Sequence, residues 1–206
     1  MKVEIWSDVV CPWCYIGKRR LEQALNDYTS DVDIVWRSFE LDPAESTEPA
    51  EALDEALAAK YGTPIENARA MLEQMARTGA EEGLELNFDV ARRGNTLDAH
   101  RLLHFAAGRG MQPEMKERLF RAYMTEGVPI ADRGELARLA GELGLDAHEV
   151  GAMLETDQFV DEVRADQLRA RQLGIRGVPF FVFAGRVGVS GAQPAGVLLD
   201  AMRQAA

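Results

Sequence analysis

The chain has 206 residues, is 47% hydrophobic and carries a formal net charge of -11. That length and apolar content suffice for a sizeable buried core, while the negative balance argues against a nucleic acid or an anionic membrane surface as partner. No run reaches the ~18 apolar residues of a bilayer span, and the chain opens on a charged strand instead of a basic and then apolar leader, so a cytoplasmic protein is expected.

Lys2 to Trp6 alternates polar and apolar side chains, which is the period of a strand. The only two cysteines follow in Cys11-Pro12-Trp13-Cys14, and from Tyr15 to Tyr28 apolar residues recur at Ile16, Leu21, Leu25 and Tyr28 at helical spacing. The cysteines therefore stand at the N-terminus of a helix, where unpaired N–H groups and the helix dipole favour an anion. Pro12 suits the first turn, since its missing N–H is not needed there. The expected anion is a Cys11 thiolate. Thiolate is the nucleophile of disulfide exchange, and first cysteines in such pairs have pKa values of ~3.5 to ~7.5. Cys14, one turn further in, is expected to be more buried and to resolve a mixed disulfide on Cys11. In a cytoplasmic protein a disulfide is usually transient and catalytic. Two other readings compete. A structural bridge would close too short a loop to remove much unfolded-state entropy. A Cys2His2 metal site would need His100 and His104, four residues apart, but the strand-to-helix context and the long gap before His100 are unlike a compact zinc module.

Val32 to Leu41 alternates again and stops at Asp42-Pro43. Strand, helix, strand is a βαβ unit with parallel strands and a right-handed crossover. Glu40 and Asp42, near the end of this strand, are candidate proton acceptors for the cysteines, although a solvated strand end is the simpler account. From Ala44 to about Leu173 the composition turns to Ala, Glu, Leu, Met and Arg, with breakers at Gly62-Thr63-Pro64, Gly79, Gly108 to Pro113, Gly127 to Pro129 and Gly144. Helices are expected near 49–61, 64–83, 95–108, 112–126, 132–143, 146–154 and 157–173, with starts at Thr63-Pro64 with Asn67, Asn95-Thr96 with Asp98, and Asp132 with Glu135. Such a stretch is too long for a loop. We read 44–173 as a helical subdomain inserted between 1–43 and 174–206, with the helix at about 157–173 free to pack on the core of the latter two.

Within it, Asn95-Thr96-Leu97-Asp98-Ala99-His100 reads first as an N-capped helix whose His100 faces a pocket wall or solvent. The functional reading places Asn95, Thr96 and His100 opposite the cysteines, lining a substrate groove and supplying hydrogen bonds or positive charge near the thiolate. His104 and His148 carry only a structural reading, and Met71, Met75, Phe105, Phe120 and Met124 read as packing. After Gly177-Val178-Pro179, Phe180 to Phe183 and Val187 to Ser190 flank a turn at Ala184-Gly185-Arg186 as a hairpin. A proline at the start of a strand removes a ladder donor. Gln193-Pro194 then opens a last helix. The order is βαβ, helical insertion, ββα, an α/β fold.

Ser7 to Lys18, Asn95-Thr96 with Ala99 to Leu102, Gly177 to Phe181, and Ser190 to Gln193 together resemble the DsbA-like oxidoreductases of the thioredoxin fold, in particular their FrnE-type branch. The same superfamily includes 2-hydroxychromene-2-carboxylate isomerases and kappa-class glutathione transferases. The resemblance implies a thioredoxin fold with a large inserted all-helical subdomain, Cys11 as nucleophile, Cys14 as resolving cysteine and Pro179 as a cis-proline beside them. It also implies that Val178 pairs its backbone with an extended substrate segment. Pro12 and Trp13 complete the substrate-facing surface. Trp13 stands where DsbA itself has histidine and offers only a flat apolar face, so a strongly oxidising potential does not follow. The isomerase and transferase relatives typically carry serine at the position of Cys11.

The expected activity is thiol–disulfide exchange with a protein or small-molecule substrate, as oxidase, isomerase or reductase, with no resident cofactor and with glutathione as a candidate thiol co-substrate. One alternative is a glutathione-dependent isomerase or transferase in which Cys11 activates glutathione without cycling with Cys14. The other is a zinc or partner-binding module. Monomer and homodimer both stay open. The helical insertion is expected to cover Cys11 in part.

Overall fold

The computed structural model describes residues 1–47 and 52–206. β1 (Lys2–Ser7) is buried from Val3 onward, because helices cover both faces of its sheet. Alternate side chains point to opposite faces. Val3 and Ile5 join Phe181, Phe183, Leu21, Leu198 and Met202 in one core, and Trp6 joins Val182, Ala170 and Ile175 in another. β2 (Asp33–Ser38) runs parallel to β1, in register from Lys2 opposite Asp33 to Ser7 opposite Ser38. The expected βαβ unit is therefore present, with α1 (Pro12–Asn26) as its crossover. β3 (Phe180–Phe183) pairs antiparallel with β1, and β4 (Val187–Ser190) antiparallel with β3, giving the strand order β2-β1-β3-β4.

Between β2 and β3 run α2 (Leu53–Tyr61), α3 (Ile65–Glu81), α4 (Leu97–Ala107), α5 (Gln112–Met124), α6 (Arg133–Glu142), α7 (Ala147–Leu154) and α8 (Val160–Gln172), and α9 (Ala195–Ala205) closes the chain. These fall within a few residues of the helices expected from spacing. The expected start at 49 lies outside the described residues. Of the expected caps, Asp132 accepts from the Glu135 N–H, but neither Thr63 nor Thr96 caps through its side chain. At α4 the Oδ1 of Asn95 takes the Leu97 N–H instead, at 2.9 Å.

β2 is an edge strand, and an open edge invites foreign pairing. Here helix side chains cover it: Gln112 on α5 both donates to the Trp36 carbonyl and accepts from the Trp36 N–H, each at 3.0 Å. Asp166 on α8 accepts from the Ser38 N–H at 3.0 Å, and its carbonyl accepts from Trp6 Nε1 at 2.9 Å, so α8 lies against the sheet. These side chains also end the strand early. Alternation in the sequence extends to Leu41, but the Leu41 N–H goes to Asp8 Oδ2 at 2.7 Å and not to a ladder partner.

The largest core gathers α3 to α7 and also takes in Val9, Cys11, Cys14, Tyr15 and Ile16. The next turns of α1, at Leu21 and Ala24, belong to the sheet core. The cysteine motif thus sits at the seam between the sheet and the helices. Among the described residues no helix is long and apolar enough to cross a membrane.

Candidate active site

β1 delivers the chain at Ser7 into a short loop, and Cys11 is the N-cap of α1 with an extended backbone at φ -92 and ψ 109. Pro12 occupies the first helical turn as expected, and the Cys14 N–H closes it on the Cys11 carbonyl at 3.0 Å. Both cysteines are free thiols. Cys11 is 5% exposed and Cys14 is wholly buried, whereas Trp13 between them is 41% exposed. Pro12 is half-buried.

Opposite the motif, the Val178-Pro179 peptide bond is cis. The Cys11 thiol donates to the Val178 carbonyl at 3.7 Å, so that carbonyl turns toward the sulfur and not outward. The Val178 N–H forms no backbone hydrogen bond among the described residues. α1 approaches this loop closely because Gly17 has no side chain; a Cβ there would stand 3.0 Å from Pro179 Cγ and 3.2 Å from Phe181 Cζ.

The surroundings of the two sulfurs are unequal. A hydrogen bond with Cys14 and burial push the Cys11 thiol well up. Burial opposes charge at Cys14 too, yet hydrogen bonds with Cys11 and Ser7 and the charge of Lys116 hold Cys14 below the ordinary thiol value. The two thiols titrate as a coupled pair, with ionisation disfavoured at Cys11 and eased at Cys14.

Beneath Cys14 lies a buried polar cluster. Asp8 is wholly buried. Its Oδ1 is 3.3 Å from His100 Nε2, and its Oδ2 holds the Leu41 N–H. Burial alone would raise this carboxyl, but the bond and charge of His100 and the Leu41 N–H keep it below the usual carboxylate range. Lys116 on α5 is also wholly buried, with Nζ 4.6 Å from the Phe120 ring and 5.4 Å from the Trp36 ring. Burial pulls its pKa down to about 8, against the pull of Cys14, Asp8 and Cys11. α5 is pinned to the motif helix by Glu117, which accepts from the Tyr15 hydroxyl at 2.6 Å and from Arg19 Nη1 at 3.0 Å and pairs with Lys18 Nζ at 2.6 Å. Tyr15 also stacks on Phe120 with centroids 4.8 Å apart.

The remaining residues singled out from the sequence divide sharply. His100 reaches the cluster, through Asp8. Asn95 is occupied by the segment that follows β2, donating to the Glu45 carbonyl at 3.1 Å and the Pro43 carbonyl at 3.4 Å. Thr96 is buried, and its hydroxyl has no partner among the described residues. Glu40 is buried against Arg164 and Gln167 and Asp42 pairs with Arg93, so Asp8, not either of these, is the carboxylate beside the sulfurs. His104 bonds Ser38 Oγ at 3.0 Å and lies 3.4 Å from Asp166, and His148 is exposed. The two histidines of the imagined metal set thus have separate partners, and no group of three or more potential metal ligands occurs among the described residues.

Two members of the cluster escaped the sequence reading. Asp8 carried the same signal as Glu40 and Asp42, a carboxylate at the end of a strand near the motif. Lys116 carried a subtler one, since it shares a helical face with Gln112, Leu119, Phe120 and Tyr123. Neither of two cavities, about 450 Å³ around Arg93 and Asp98 and about 370 Å³ around Leu72 and Phe88, includes a cysteine among its lining residues.

A family model for the DSBA-like thioredoxin domain matches residues 2–203. The uncharacterised Bacillus subtilis protein YwbO is 31% identical over 187 residues, covering 90% of this chain and 88% of that protein. The crystal structure of a probable DsbA oxidoreductase from Streptomyces coelicolor matches 100% of this chain and 89% of that one, with a TM-score of 0.95 and 44% identity. A 2-hydroxychromene-2-carboxylate isomerase structure shares the fold, with a TM-score of 0.72 and 17% identity over 99% of this chain and 95% of that one.

Proposed function

The chain belongs to the DSBA-like thioredoxin-domain family, and from that premise we propose that it is a thiol–disulfide oxidoreductase whose Cys11 and Cys14 cycle between dithiol and disulfide. The observation that carries this reading is the asymmetry of the pair: Cys11 is 5% exposed beside the open face of Trp13, and Cys14 is wholly enclosed. A substrate sulfur meets only Cys11.

In the reducing direction Cys11 passes its proton to Cys14 and attacks one sulfur of a substrate disulfide. A mixed disulfide forms on Cys11, and the first substrate thiolate leaves and takes a proton from solvent. Cys14 then attacks Cys11 and gives up its proton, the internal disulfide closes as the bond from Cys11 to the substrate sulfur breaks, and the second thiolate leaves and takes up a proton, so two electrons have moved from the pair to the substrate. Oxidation of a dithiol runs the same steps backwards. Which direction prevails depends on potential, and ~30 mV corresponds to ~1.4 kcal/mol for this two-electron couple. The free Val178 N–H and the apolar face of Trp13 suit an extended peptide or a small thiol such as glutathione. Kinship with the FrnE-type branch, supported by the Cys-Pro-Trp-Cys motif, and a cytoplasmic setting belong to the same proposal.

Cys14→Ser separates this cycle from glutathione-dependent conjugation or isomerisation. Multiple-turnover disulfide reduction is expected to fall by about 100-fold or more, with a stable mixed disulfide accumulating on Cys11. Undiminished turnover in Cys14→Ser would sink the dithiol cycle.

A further inference from the structure

The turn that faces Cys11 is tied to α3 through a chain of hydrogen bonds. Glu82 follows α3, and its carboxylate accepts from Arg20 Nε at 2.6 Å and from Gln23 Nε2 at 2.8 Å. Arg20 and Gln23 stand three residues apart on one face of α1. The Nη1 of the same Arg20 donates to the Ala192 carbonyl. Ala192 lies between β4 and α9, next to Gly191, whose N–H donates to the Pro179 carbonyl at 2.8 Å. Pro179 follows Val178, whose carbonyl takes the Cys11 thiol at 3.7 Å. Among the described residues, Arg20 is the only side chain from outside the β3–β4 hairpin and α9 that bonds to the segment 191–194.

Two features set this connection apart from an ordinary surface ion pair. A helix dipole disfavours a carboxylate at its C-terminal end, yet Glu82 is the C-cap of α3 and no basic residue stands in the last turn of that helix. Its local setting works against it, and the partners on α1 compensate. The guanidinium is also planar and presents its donors in fixed directions, so one side chain sets the Ala192 carbonyl relative to Glu82. Both side chains are half-buried, where an ion pair is screened less than on an open surface. Ala192 and Val178 pack against the same core as Cys11.

We propose that Arg20 is a positioning residue for disulfide exchange with extended peptides: it holds the segment 191–194 so that the turn at Val178 presents its backbone to the substrate at a fixed place beside Cys11. The proposal rests on the dithiol cycle above and narrows its substrate to a peptide segment that pairs with Val178 as an added strand. The bonds of Arg20 go to Glu82 and Ala192 and not to the sulfurs. Its removal therefore leaves the chemistry of Cys11 as it is, and loosens the surface on which a peptide must lie before its disulfide comes within reach. A small aryl disulfide needs no such surface.

The test mixes reduced protein with an excess of either of two disulfides, an extended peptide carrying a disulfide-linked fluorescent reporter or dithiobis(nitrobenzoate), and follows thiol release as the substrate concentration is raised. In Arg20→Met the peptide concentration that gives half the limiting rate is expected to rise about tenfold, the size of one well-placed hydrogen bond. The limiting rate is expected to change little, which is the pattern of lost substrate binding. Toward the aryl disulfide the rate is expected to stay within about twofold of wild type. Arg20→Lys keeps the charge but not the planar fork; it is expected to show the same rise, and it serves as the test if the methionine variant does not fold. Unchanged half-saturation by the peptide in either variant, or an equal loss on both disulfides, would overturn the role of Arg20 alone. Wild-type protein that reacts with the aryl disulfide but not with the peptide would overturn the substrate class, and this role with it. Wild-type protein that stops at a mixed disulfide on Cys11 with both reagents would overturn the dithiol cycle itself.

Discussion

The two sulfurs of one helical turn occupy different solvents. On the Cys11 side are an exposed tryptophan, a backbone loop and a thiol that donates to a carbonyl 3.7 Å away. On the Cys14 side are the Asp8 carboxylate, His100 and the Lys116 ammonium, all without solvent exposure. The first environment selects what can touch the pair, and the second is closed to solvent. A helix N-terminus by itself favours a thiolate on the first cysteine, but the neighbouring Cys14 and burial work against charge at Cys11 here. Exposure and ionisation, which the sequence leads one to assign to a single cysteine, are divided between the two.

The largest effect expected from this division is on reactivity toward an alkylating reagent. Cys14 left alone in Cys11→Ser is expected to be alkylated at least about 100-fold more slowly than Cys11 left alone in Cys14→Ser, because reaction needs access as well as thiolate. Equal rates would erase the distinction. Removing the buried carboxylate comes next. Asp8→Asn keeps the shape but discards the charge that holds His100 and the Leu41 N–H, and is expected to cost about 1–3 kcal/mol in stability, read by denaturant unfolding. Since the folded pKa of Asp8 is held below its ordinary 3.8, that contribution is fully present above the ordinary value and is lost as pH falls below it. A stability difference between Asp8→Asn and the parent that does not shrink in acid would contradict the charge argument.

The smallest effect tests the link between the two environments. Glu117 receives Tyr15, Lys18 and Arg19 of the motif helix. Burial would raise its carboxyl, but these partners hold it at about 2 instead of 4.5. Its contribution to stability is therefore complete above pH 4.5 and disappears as pH falls toward 2. Glu117→Gln is expected to lose about 1 kcal/mol at neutral pH and nothing near pH 2. A loss independent of pH would mean that packing of Tyr15 on Phe120, not the carboxylate, holds α5 to α1.

Much of this was legible before any coordinates. Alternation in Lys2 to Trp6 and Val32 to Leu41, helical spacing in the middle of the chain and the isolated Cys-Pro-Trp-Cys turn are local signals, and each found its element. Resemblance, not chain chemistry, supplied the expectation for Pro179, since most X-Pro bonds are trans. The Asp8–His100 contact and the placement of Lys116 join residues separated by 92 positions or on different elements, and no local pattern encodes such a meeting. The early end of β2 is hidden for the same reason, because Leu41 gives its N–H to a side chain from another part of the chain. The partners of Asn95 are hidden in the same way, because its amide donates to the Pro43 and Glu45 carbonyls 52 and 50 positions away.

The central claim is that Cys11 and Cys14 act as one redox couple. Equilibrating the protein across a glutathione redox series and counting free thiols by alkylation tests it without any guess at the substrate. The account predicts that both thiols disappear together into an internal disulfide, with a midpoint near ~-270 mV if the protein is poised as a reductase or at ~-180 to -120 mV if it is poised as an isomerase or oxidant. Protein that stops at a stable glutathione adduct on Cys11, with Cys14 still free, or that keeps both thiols throughout the series, would contradict it.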